Sequence, residues 1–372
     1  MKKIFFSLVA LAALAACTKS EAVYTPSAEI GFMPVSKYDT KAAVESTTYT
    51  DALPFYVYAN AKNNGAAGFT SKYFENALFV FEKTESTTTH IYKGDPAQYW
   101  PNVNPLIFAG FTKSGNIETL VTNDVTNKSD VVIAPSADLT TLTINGYQQP
   151  EPTVGPADND FMYFFADNDD DGYTSQSTYI IPVMKHACSW ITINIKAESA
   201  ALLAYWKDLK VTEVKFVKLH TTGTVTLTKG SPAEWDFTDQ TESSVDVKAL
   251  SASAKPITID TGVEFADIAK NTIVLPQQPA YLSVTYTYTT PAGTEGFTET
   301  KVLPLNFNNE TRDLDDTDDE YRATWKEWEP GKHYIYNLTV TSTEIKIAPT
   351  SKDWVTDLNS NDEDDDNIGK DI

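Results

Sequence analysis

A run of acidic residues at positions 167–172 has the spacing of a cation-binding loop. It reads Asp167-Asn168-Asp169-Asp170-Asp171-Gly172, with oxygen-bearing side chains at loop positions 1, 3 and 5 and a glycine at position 6. Calcium loops place ligands and a turn glycine in this way. Loop position 12 is Thr178, which lacks the bidentate carboxylate, and no helical pattern flanks the run. We predict a solvated acidic turn and no cofactor, with weak calcium binding through Asp167, Asp169 and Asp171 as the alternative.

Other residues capable of chemistry are scattered along the chain. None of the histidines, at positions 90, 186, 220 and 333, forms the helical pair that a zinc protease needs. No Gly-x-Ser-x-Gly elbow or phosphate-binding glycine loop occurs. Cys188 begins a strand-like run and is predicted to be a buried apolar residue. We therefore predict that the protein is not an enzyme. A surface hydrolase that uses a pair of carboxylates is kept as an alternative hypothesis.

The N-terminus has the pattern of an export signal. Lys2 and Lys3 precede an apolar run that ends Leu14-Ala15-Ala16-Cys17, so residues 1–16 are predicted to be a signal peptide. The small residues before Cys17 resemble the lipobox of bacterial lipoproteins, in which this cysteine receives the lipid. Residues 17–27 then form a polar tether, and an ordinary secretory signal is the alternative. The resemblance implies a lipid-anchored protein, because two or more acyl chains give stable membrane binding.

Composition limits the remaining function classes. The chain has 372 residues and a net charge of −22, from 29 basic and 51 acidic side chains. Such a charge repels phosphate backbones, so nucleic acid is excluded as a partner. Two cysteines cannot build a disulfide framework, so stability must come from packing. A chain of this length favours two cores.

Alternation of apolar and polar residues predicts an all-β, antiparallel fold. The clearest alternating segments are 55–58, 78–81, 191–195, 211–219, 224–228 and 282–288. Turn signals at Asn64-Gly65, Ser114-Gly115, Asn145-Gly146 and Lys229-Gly230 separate strands. Only residues 200–210 fit a short helix. We predict an N-terminal β-sandwich at 28–176, a C-terminal β-sandwich at 177–354 and an acidic tail at 355–372.

Several segments, in this order, resemble the fimbrillin family, the lipoprotein precursors of Bacteroidetes fimbriae, also called type V pili. Each segment is short, and the order together with the lipobox carries the resemblance. The segments are Tyr99-Trp100-Pro101 with 106–111, Asp160–Tyr163, His186–Ile193, Leu275–Gln278, Trp328–Tyr336 and Ile345–Pro349 with Trp354. The resemblance implies two transthyretin-like sandwiches in tandem and a polymerising, adhesive subunit. It also implies an outer-membrane precursor that moves to a cell-surface fimbria.

The resemblance further implies assembly by strand exchange. In the family, the precursor's first strand is removed by a protease and a neighbour's strand replaces it. Here residues 29–35 are the predicted first strand, with Ile30 and Phe32 facing inward. Residues 38–42, Tyr-Asp-Thr-Lys-Ala, resemble the family's Thr-Arg or Thr-Lys processing region. Processing is expected at Lys41 or nearby by a lysine-tolerant protease, because the only arginines are Arg312 and Arg322. Expected partners are other fimbrial subunits, the outer membrane through the lipid, and a host or bacterial surface ligand.

The predicted donor lies near the C-terminus. Residues 334–340 and 345–347 alternate, and Ile345, Ile347 and Trp354 are the predicted donor residues. Two alternatives stay open. The first is a surface glycan-binding lipoprotein of the outer membrane, suggested by Trp325 and Trp328. The second is a monomeric lipoprotein in which both segments are ordinary edge strands.

Overall fold

The computed structural model describes residues 28–36, 53–63, 65–86, 89–102, 104–126, 132–149, 160–175, 179–238, 243–246, 255–256, 266–278, 281–291, 296–305 and 327–353. Cys17, Lys41, Trp325, Trp354 and the acidic tail lie outside these ranges. Within them, no helix has the length and apolarity needed to cross a membrane.

The described chain is nearly all β, which confirms the predicted fold class. Its two helices are α1 (Ile117–Thr126) and α2 (Ala200–Tyr205). The strands of the first half are β1 (Gly31–Phe32), β2 (Val35–Ser36), β3 (Phe55–Ala61), β4 (Ser71–Ser86), β5 (Thr89–Gly94), β6 (Leu106–Thr112), β7 (Ile133–Pro135), β8 (Thr141–Gln148), β9 (Met162–Ala166) and β10 (Val183–His186). Those of the second half are β11 (Ser189–Ala197), β12 (Lys207–Leu219), β13 (Thr222–Thr228), β14 (Glu234–Asp236), β15 (Ser243–Asp246), β16 (Lys255–Pro256), β17 (Ala266–Val274), β18 (Tyr281–Thr289), β19 (Gly296–Pro304), β20 (Lys332–Val340) and β21 (Ile345–Asp353).

The largest sheet has eight strands in the order β1-β5-β4-β3-β6-β9-β10-β2. Every residue of its central strands β3 and β6 is buried, so both faces of the sheet are covered. One face packs on the sheet β14-β13-β8-β7 and on helix α1. The other face encloses a separate core that contains Ile30, Phe32 and Met184. This second core is the one that positions the candidate site.

The second sandwich consists of the sheet β17-β11-β20-β21 and the sheet β15-β12-β18-β19. Ladders are mostly antiparallel, as predicted, but β11 pairs with β20 in parallel and β10 pairs with β2 in parallel. Their shared core holds Trp206, Phe216, Trp328 and Tyr336. Strand β21 is the edge strand of its sheet within the described chain.

The sheets do not divide at residue 176 as the sequence suggested. Strand β10 follows that residue and pairs with β9, and the hairpin of β13 and β14 pairs with β8 of the first half. The Trp235 indole also donates to the Ala187 carbonyl (2.8 Å). Each strand adds to the sheet edge that its apolar face can cover, and alternation within one strand does not encode that edge.

Two local predictions need correction. The helix predicted over residues 200–210 ends at Tyr205, and β12 begins at Lys207, while α1 was not predicted. Asn145-Gly146 does not separate strands, because Gly146 lies inside β8 with a φ of 72° beside a register shift opposite β13. Asn-Gly favours positive φ, which serves a bulge as well as a hairpin turn.

Candidate functional site

Residues 28–36 join the two ends of the eight-stranded sheet. Strand β1 pairs antiparallel with β5, and β2 pairs in parallel with β10, at the opposite end of the sheet. A parallel bridge also links Phe32 to Ile180. The sheet therefore closes on itself through this segment, which we call the N-terminal segment. The predicted first strand at 29–35 is observed as two short strands, because Pro34 lacks the N–H that a continuous ladder needs.

Backbone hydrogen bonds hold the N-terminal segment on both sides. On one side the Ile30 amide donates to the Gln98 carbonyl (2.8 Å) and the Trp100 amide donates to the Ala28 carbonyl (2.9 Å). On the other side the Met33 amide donates to the Ile180 carbonyl (2.8 Å), and the Ile180 amide donates to the Gly31 carbonyl (2.9 Å). We call the slot between these two sheet edges the groove. Without the segment, both edges would present unpaired backbone groups.

The apolar side chains of the N-terminal segment fill the core beneath the groove. Ile30 and Phe32 are both 0% exposed, and Pro34 is buried. The Phe32 ring lies edge-on to the rings of Phe55, Phe79 and Phe108, with centroids 5.7, 4.8 and 5.4 Å away, and tilted against Phe164 at 5.7 Å. Aromatic pairs of this geometry contribute beyond their buried area. These four rings, which we call the phenylalanine cage, fit one large apolar side chain.

Two contacts at the groove were not predicted from the sequence. A Cβ atom built at Gly31 would lie 2.9 Å from Cδ1 of Tyr179, so the Tyr179 ring packs where any other residue would place its side chain. The Glu29 carboxylate accepts from the Lys93 ammonium at 3.1 Å. Neither residue carries a local motif.

The predicted donor residues Ile345 and Ile347 lie in β21, within their own sandwich. Ile345 is 6% exposed in the second core and Ile347 packs partly against it. All nine residues of β21 pair antiparallel with β20. Trp354 and the predicted processing residue Lys41 lie outside the described ranges. For β21 to act as a donor, it must first leave its own sheet.

A lysine side chain pairs with two carboxylates of the acidic loop. The Lys229 ammonium donates to the Asp167 carboxylate and, at 2.8 Å, to the Asp170 carboxylate. Hydrogen bonding from Lys229 lowers the pKa of Asp170, and the same contacts, led by Asp167, raise the pKa of Lys229. Residues 168–170 all have positive φ, which Asn and Asp tolerate better than most residues. The acidic residues therefore form a tight turn whose charge is partly neutralised by the Lys229 ammonium.

Among the described residues, no group of three or more His, Cys, Asp or Glu side chains is placed to hold a metal ion. The histidines serve other contacts. His186 Nδ1 lies 2.6 Å from Asp160 Oδ2, and both side chains are nearly inaccessible. The Thr112 hydroxyl donates to the Asp160 carbonyl (2.7 Å) and accepts from the Met162 amide (2.9 Å). This cluster holds together the end of β6, the start of β9 and the end of β10. Strand β10 forms one edge of the groove.

Two further sequence predictions concern single residues. Cys188 is fully buried, as predicted, and burial raises the pKa of its thiol well above the usual value. Trp328 is 2% exposed, and its indole donates to the Tyr336 hydroxyl (2.8 Å). Trp328 therefore packs inside the second sandwich and offers no surface to a sugar ring. Trp325 lies outside the described ranges.

Comparison with protein families identifies the family to which this chain belongs. Residues 40–354 match the family described as fimbrillin-like, which covers most of the chain. The chain belongs to the fimbrillin-like family. Residues 1–18 separately match the lipid attachment site of prokaryotic membrane lipoproteins, a match that includes Cys17. No match was found among curated proteins.

Solved structures are similar to this chain at low sequence identity. A fimbrial protein from Bacteroides vulgatus has a TM-score of 0.56 and 14% identity, over 88% of this chain and 99% of that chain. A candidate cell adhesion protein from Bacteroides uniformis has a TM-score of 0.47 and 17% identity, over 88% and 99%. The tip fimbrial protein Mfa3 from Porphyromonas gingivalis, with a C-terminal truncation, has a TM-score of 0.41 and 10% identity, over 88% and 100%. The first of these supports the architecture described above.

Proposed function

We propose that the protein is a structural, non-enzymatic subunit of a bacterial surface fimbria. It is exported as an outer-membrane lipoprotein with acyl chains on Cys17, and it polymerises by strand exchange. Membership of the fimbrillin-like family and the match at residues 1–18 support the subunit role and the lipid anchor. The observation that carries the exchange mechanism is the N-terminal segment, whose buried side chains complete a core and whose backbone bridges two sheet edges.

Removing the N-terminal segment would leave a strong binding site. Ile30 and Phe32 together contribute roughly 3–6 kcal/mol by apolar burial, and the two flanking edges add directional backbone bonds. A covalently attached segment occupies such a groove at high effective concentration. Cleavage at Lys41, or at the neighbouring Lys37, abolishes that advantage because the freed segment can diffuse away. Another copy's strand then competes for the empty groove.

Strand β21 is the proposed donor, with Ile345 and Ile347 as its apolar side chains and Trp354 as a further anchor. Leaving its own sheet costs β21 its nine-residue ladder with β20 and the burial of Ile345. Entering the groove provides pairing on two edges, along β5 and along β10, and places Ile345 and Ile347 in the core beneath the groove. We also propose that the assembled fimbria contacts a host or bacterial surface ligand and that the acidic loop holds no calcium. The acidic tail at 355–372 stays outside the apolar groove, because buried unpaired carboxylates are costly.

Limited proteolysis tests this function. Purified lipid-free protein is treated with a lysine-specific protease, and the products are followed by N-terminal sequencing and by electrophoresis in SDS without boiling. We expect loss of the N-terminal segment followed by SDS-resistant ladders. The matched control carries Lys37→Gln and Lys41→Gln and should stay monomeric. A trimmed wild-type protein that remains monomeric and binds oligosaccharides tightly would instead support the glycan-binding alternative.

A further inference from the structure

The N-terminal segment and strand β21 share a sequence pattern. Residues 29–37 read Glu-Ile-Gly-Phe-Met-Pro-Val-Ser-Lys, and residues 344–352 read Glu-Ile-Lys-Ile-Ala-Pro-Thr-Ser-Lys. Five of the nine positions are identical: Glu, Ile, Pro, Ser and Lys. A sixth pairs Phe32 with Ile347, another large apolar residue. The two segments lie in different sheets of the protein, so no shared local partner explains their similarity.

Three of the six matching positions belong to side chains that fill the core beneath the groove. Ile30, Phe32 and Pro34 are buried, and they correspond to Ile345, Ile347 and Pro349. Side chains two apart on an extended chain face the same side, so all three would point into the core together. A shift by one residue would turn the charged Lys346 into the phenylalanine cage instead.

We propose that β21 of one copy enters the groove of another copy in the direction and register of the N-terminal segment. Ile345 then replaces Ile30, Ile347 replaces Phe32, and Pro349 replaces Pro34. In this register Lys346 lies opposite Lys93 and antiparallel to β5, as Gly31 does now, and Thr350 lies opposite Val183 and parallel to β10, as Val35 does now. The inference rests on the strand-exchange function proposed above and adds the partner strand's alignment.

The same register restores the ionic contact at the groove. Glu29 accepts from Lys93 at 3.1 Å in the closed subunit, and that carboxylate is lost with the N-terminal segment. Glu344 takes the matching position in the incoming strand. The pair is partly exposed, so its main effect is on alignment, because opposite charges favour one register over its neighbours.

Three mismatches make β21 a poorer ligand than the resident segment. Lys346 lies opposite Lys93 in this register, and like charges directly opposite each other on paired strands repel. Lys346 replaces Gly31, whose missing side chain is what lets the Tyr179 ring pack within 2.9 Å of the Cβ position. Ile347 replaces Phe32, so the edge-on ring contacts of the phenylalanine cage are lost. The groove therefore favours its own segment over β21. This ranking keeps uncleaved subunits from exchanging strands prematurely.

Cysteine cross-linking tests the register. The variant Val183→Cys with Thr350→Cys is cleaved, allowed to assemble and oxidised, and disulfide-linked ladders are counted after boiling in SDS. The control is Val183→Cys with Ala348→Cys, which moves one thiol two residues along the strand, about 6.7 Å, and keeps Lys93 and Lys346 in both proteins. Disulfides require Cα atoms closer than about 7 Å, so we expect about tenfold more cross-linking for the first pair than for the control.

The outcomes separate the register from the proposed function. If ladders of the first pair dissociate on boiling in SDS while ladders of the control pair remain, the proposed register is wrong and strand exchange still holds. Absence of SDS-resistant ladders in cleaved wild-type protein would overturn strand exchange itself, and the register with it.

A second variant tests the steric mismatch at Tyr179. Lys346→Gly removes the side chain that meets the Tyr179 ring, so cleaved protein should assemble about tenfold faster than wild type. Ala348→Gly is the matched control, because it adds the same backbone freedom at the position of Met33, which is only partly buried. Equal rates for Lys346→Gly and wild type would show that Lys346 does not occupy the place of Gly31.

Discussion

Phe32 is the side chain on which the groove depends. It is 0% exposed, and four phenylalanine rings surround it within 5.7 Å. Phe32→Ala removes the ring and leaves a cavity that rigid aromatic neighbours cannot refill. We expect a loss of about 3–5 kcal/mol in the free energy of unfolding, measured by urea denaturation of the uncleaved protein.

Met33→Ala provides the control for the Phe32 variant. Met33 lies next to Phe32 in the same segment but is only partly buried, so its truncation should cost well under half as much. A Phe32→Ala protein as stable as Met33→Ala would mean that the N-terminal segment is not anchored through its phenylalanine cage.

Lys229 decides what the acidic loop can bind. Its ammonium pairs with Asp167 and Asp170, so a divalent cation would compete with a charge already in place. Lys229→Met frees both carboxylates at similar side-chain volume. We expect calcium to raise the Tm of Lys229→Met and to leave the Tm of wild type unchanged, measured by calorimetry with calcium or a chelator.

Lys62→Met removes a lysine near the same loop that is placed over the Phe69 ring, and it controls for general charge effects. An equal rise in Tm for wild type and Lys229→Met on calcium addition would favour a calcium site despite the lysine.

At the scale of elements, the sequence predicts what depends on alternation and misses what depends on distant partners. Segments 191–195 and 282–288 lie in β11 and β18 because period-two burial is a local property. Segment 55–58 lies in β3, which is buried on both faces and is found from its continuous apolar run. Helix α1 was missed, although buried Ile117, Leu120 and Val121 follow its spacing. Its Thr and Asn residues, which have low helix propensity, obscure the pattern.

Some residues of the candidate site can likewise be predicted from alternation, and others depend on distant partners. The inward-facing Ile30 and Phe32 follow from alternation, and both are buried. Tyr179 and Lys93 lie far from them in sequence and meet the segment only after the sheet closes. Likewise the sequence predicts only a turn at Lys229, because no neighbouring residue indicates its contact with Asp167. Long-range pairing of this kind is set by the fold, and no window of neighbouring residues contains it.

The hairpin of β13 and β14 is the element that ties the two halves together. The Trp235 ring lies edge-on to the Tyr147 ring with centroids 5.4 Å apart, and its indole donates to the Ala187 carbonyl. Trp235→Ala should lower the free energy of unfolding by about 2–3 kcal/mol, measured by denaturant titration, because a partly buried ring and a hydrogen bond are lost together. Trp235→Phe, which keeps the ring contact and loses the bond, should cost about 1 kcal/mol. Equal losses for the two variants would contradict this role of the ring.

At the scale of the whole molecule, the tyrosines predict how the protein responds to alkali. Burial raises the pKa of Tyr163 and of Tyr334 to about 12, from an ordinary value of 10.0. Burial also raises the pKa of Tyr147 well above the ordinary value. A group whose pKa is higher in the folded state stabilises that state below its unfolded pKa, and the contribution is lost as pH rises through the folded pKa. We therefore expect stability to fall between about pH 10 and pH 12.

Thermal unfolding followed across this pH range, alongside ultraviolet titration of tyrosine, measures the effect. Phenolate absorbance from the buried tyrosines should rise together with loss of structure. Tyr205, which is 60% exposed, supplies the comparison, since Tyr205→Phe should leave the alkaline transition in place. Full tyrosine ionisation in a protein that stays folded would contradict the prediction.

The way the large sheet closes has a consequence for biosynthesis. A growing chain delivers residues 28–36 first, but one of the two edges that they bridge belongs to residues 180–184, about halfway along the 372-residue chain. Until that half has emerged, Phe32 has no finished core to enter, and the nascent polypeptide carries an apolar segment ahead of its destination. Folding of the first core is thus postponed until about half of the chain has been translocated, and chaperones that shield exposed apolar segments would matter most during that interval.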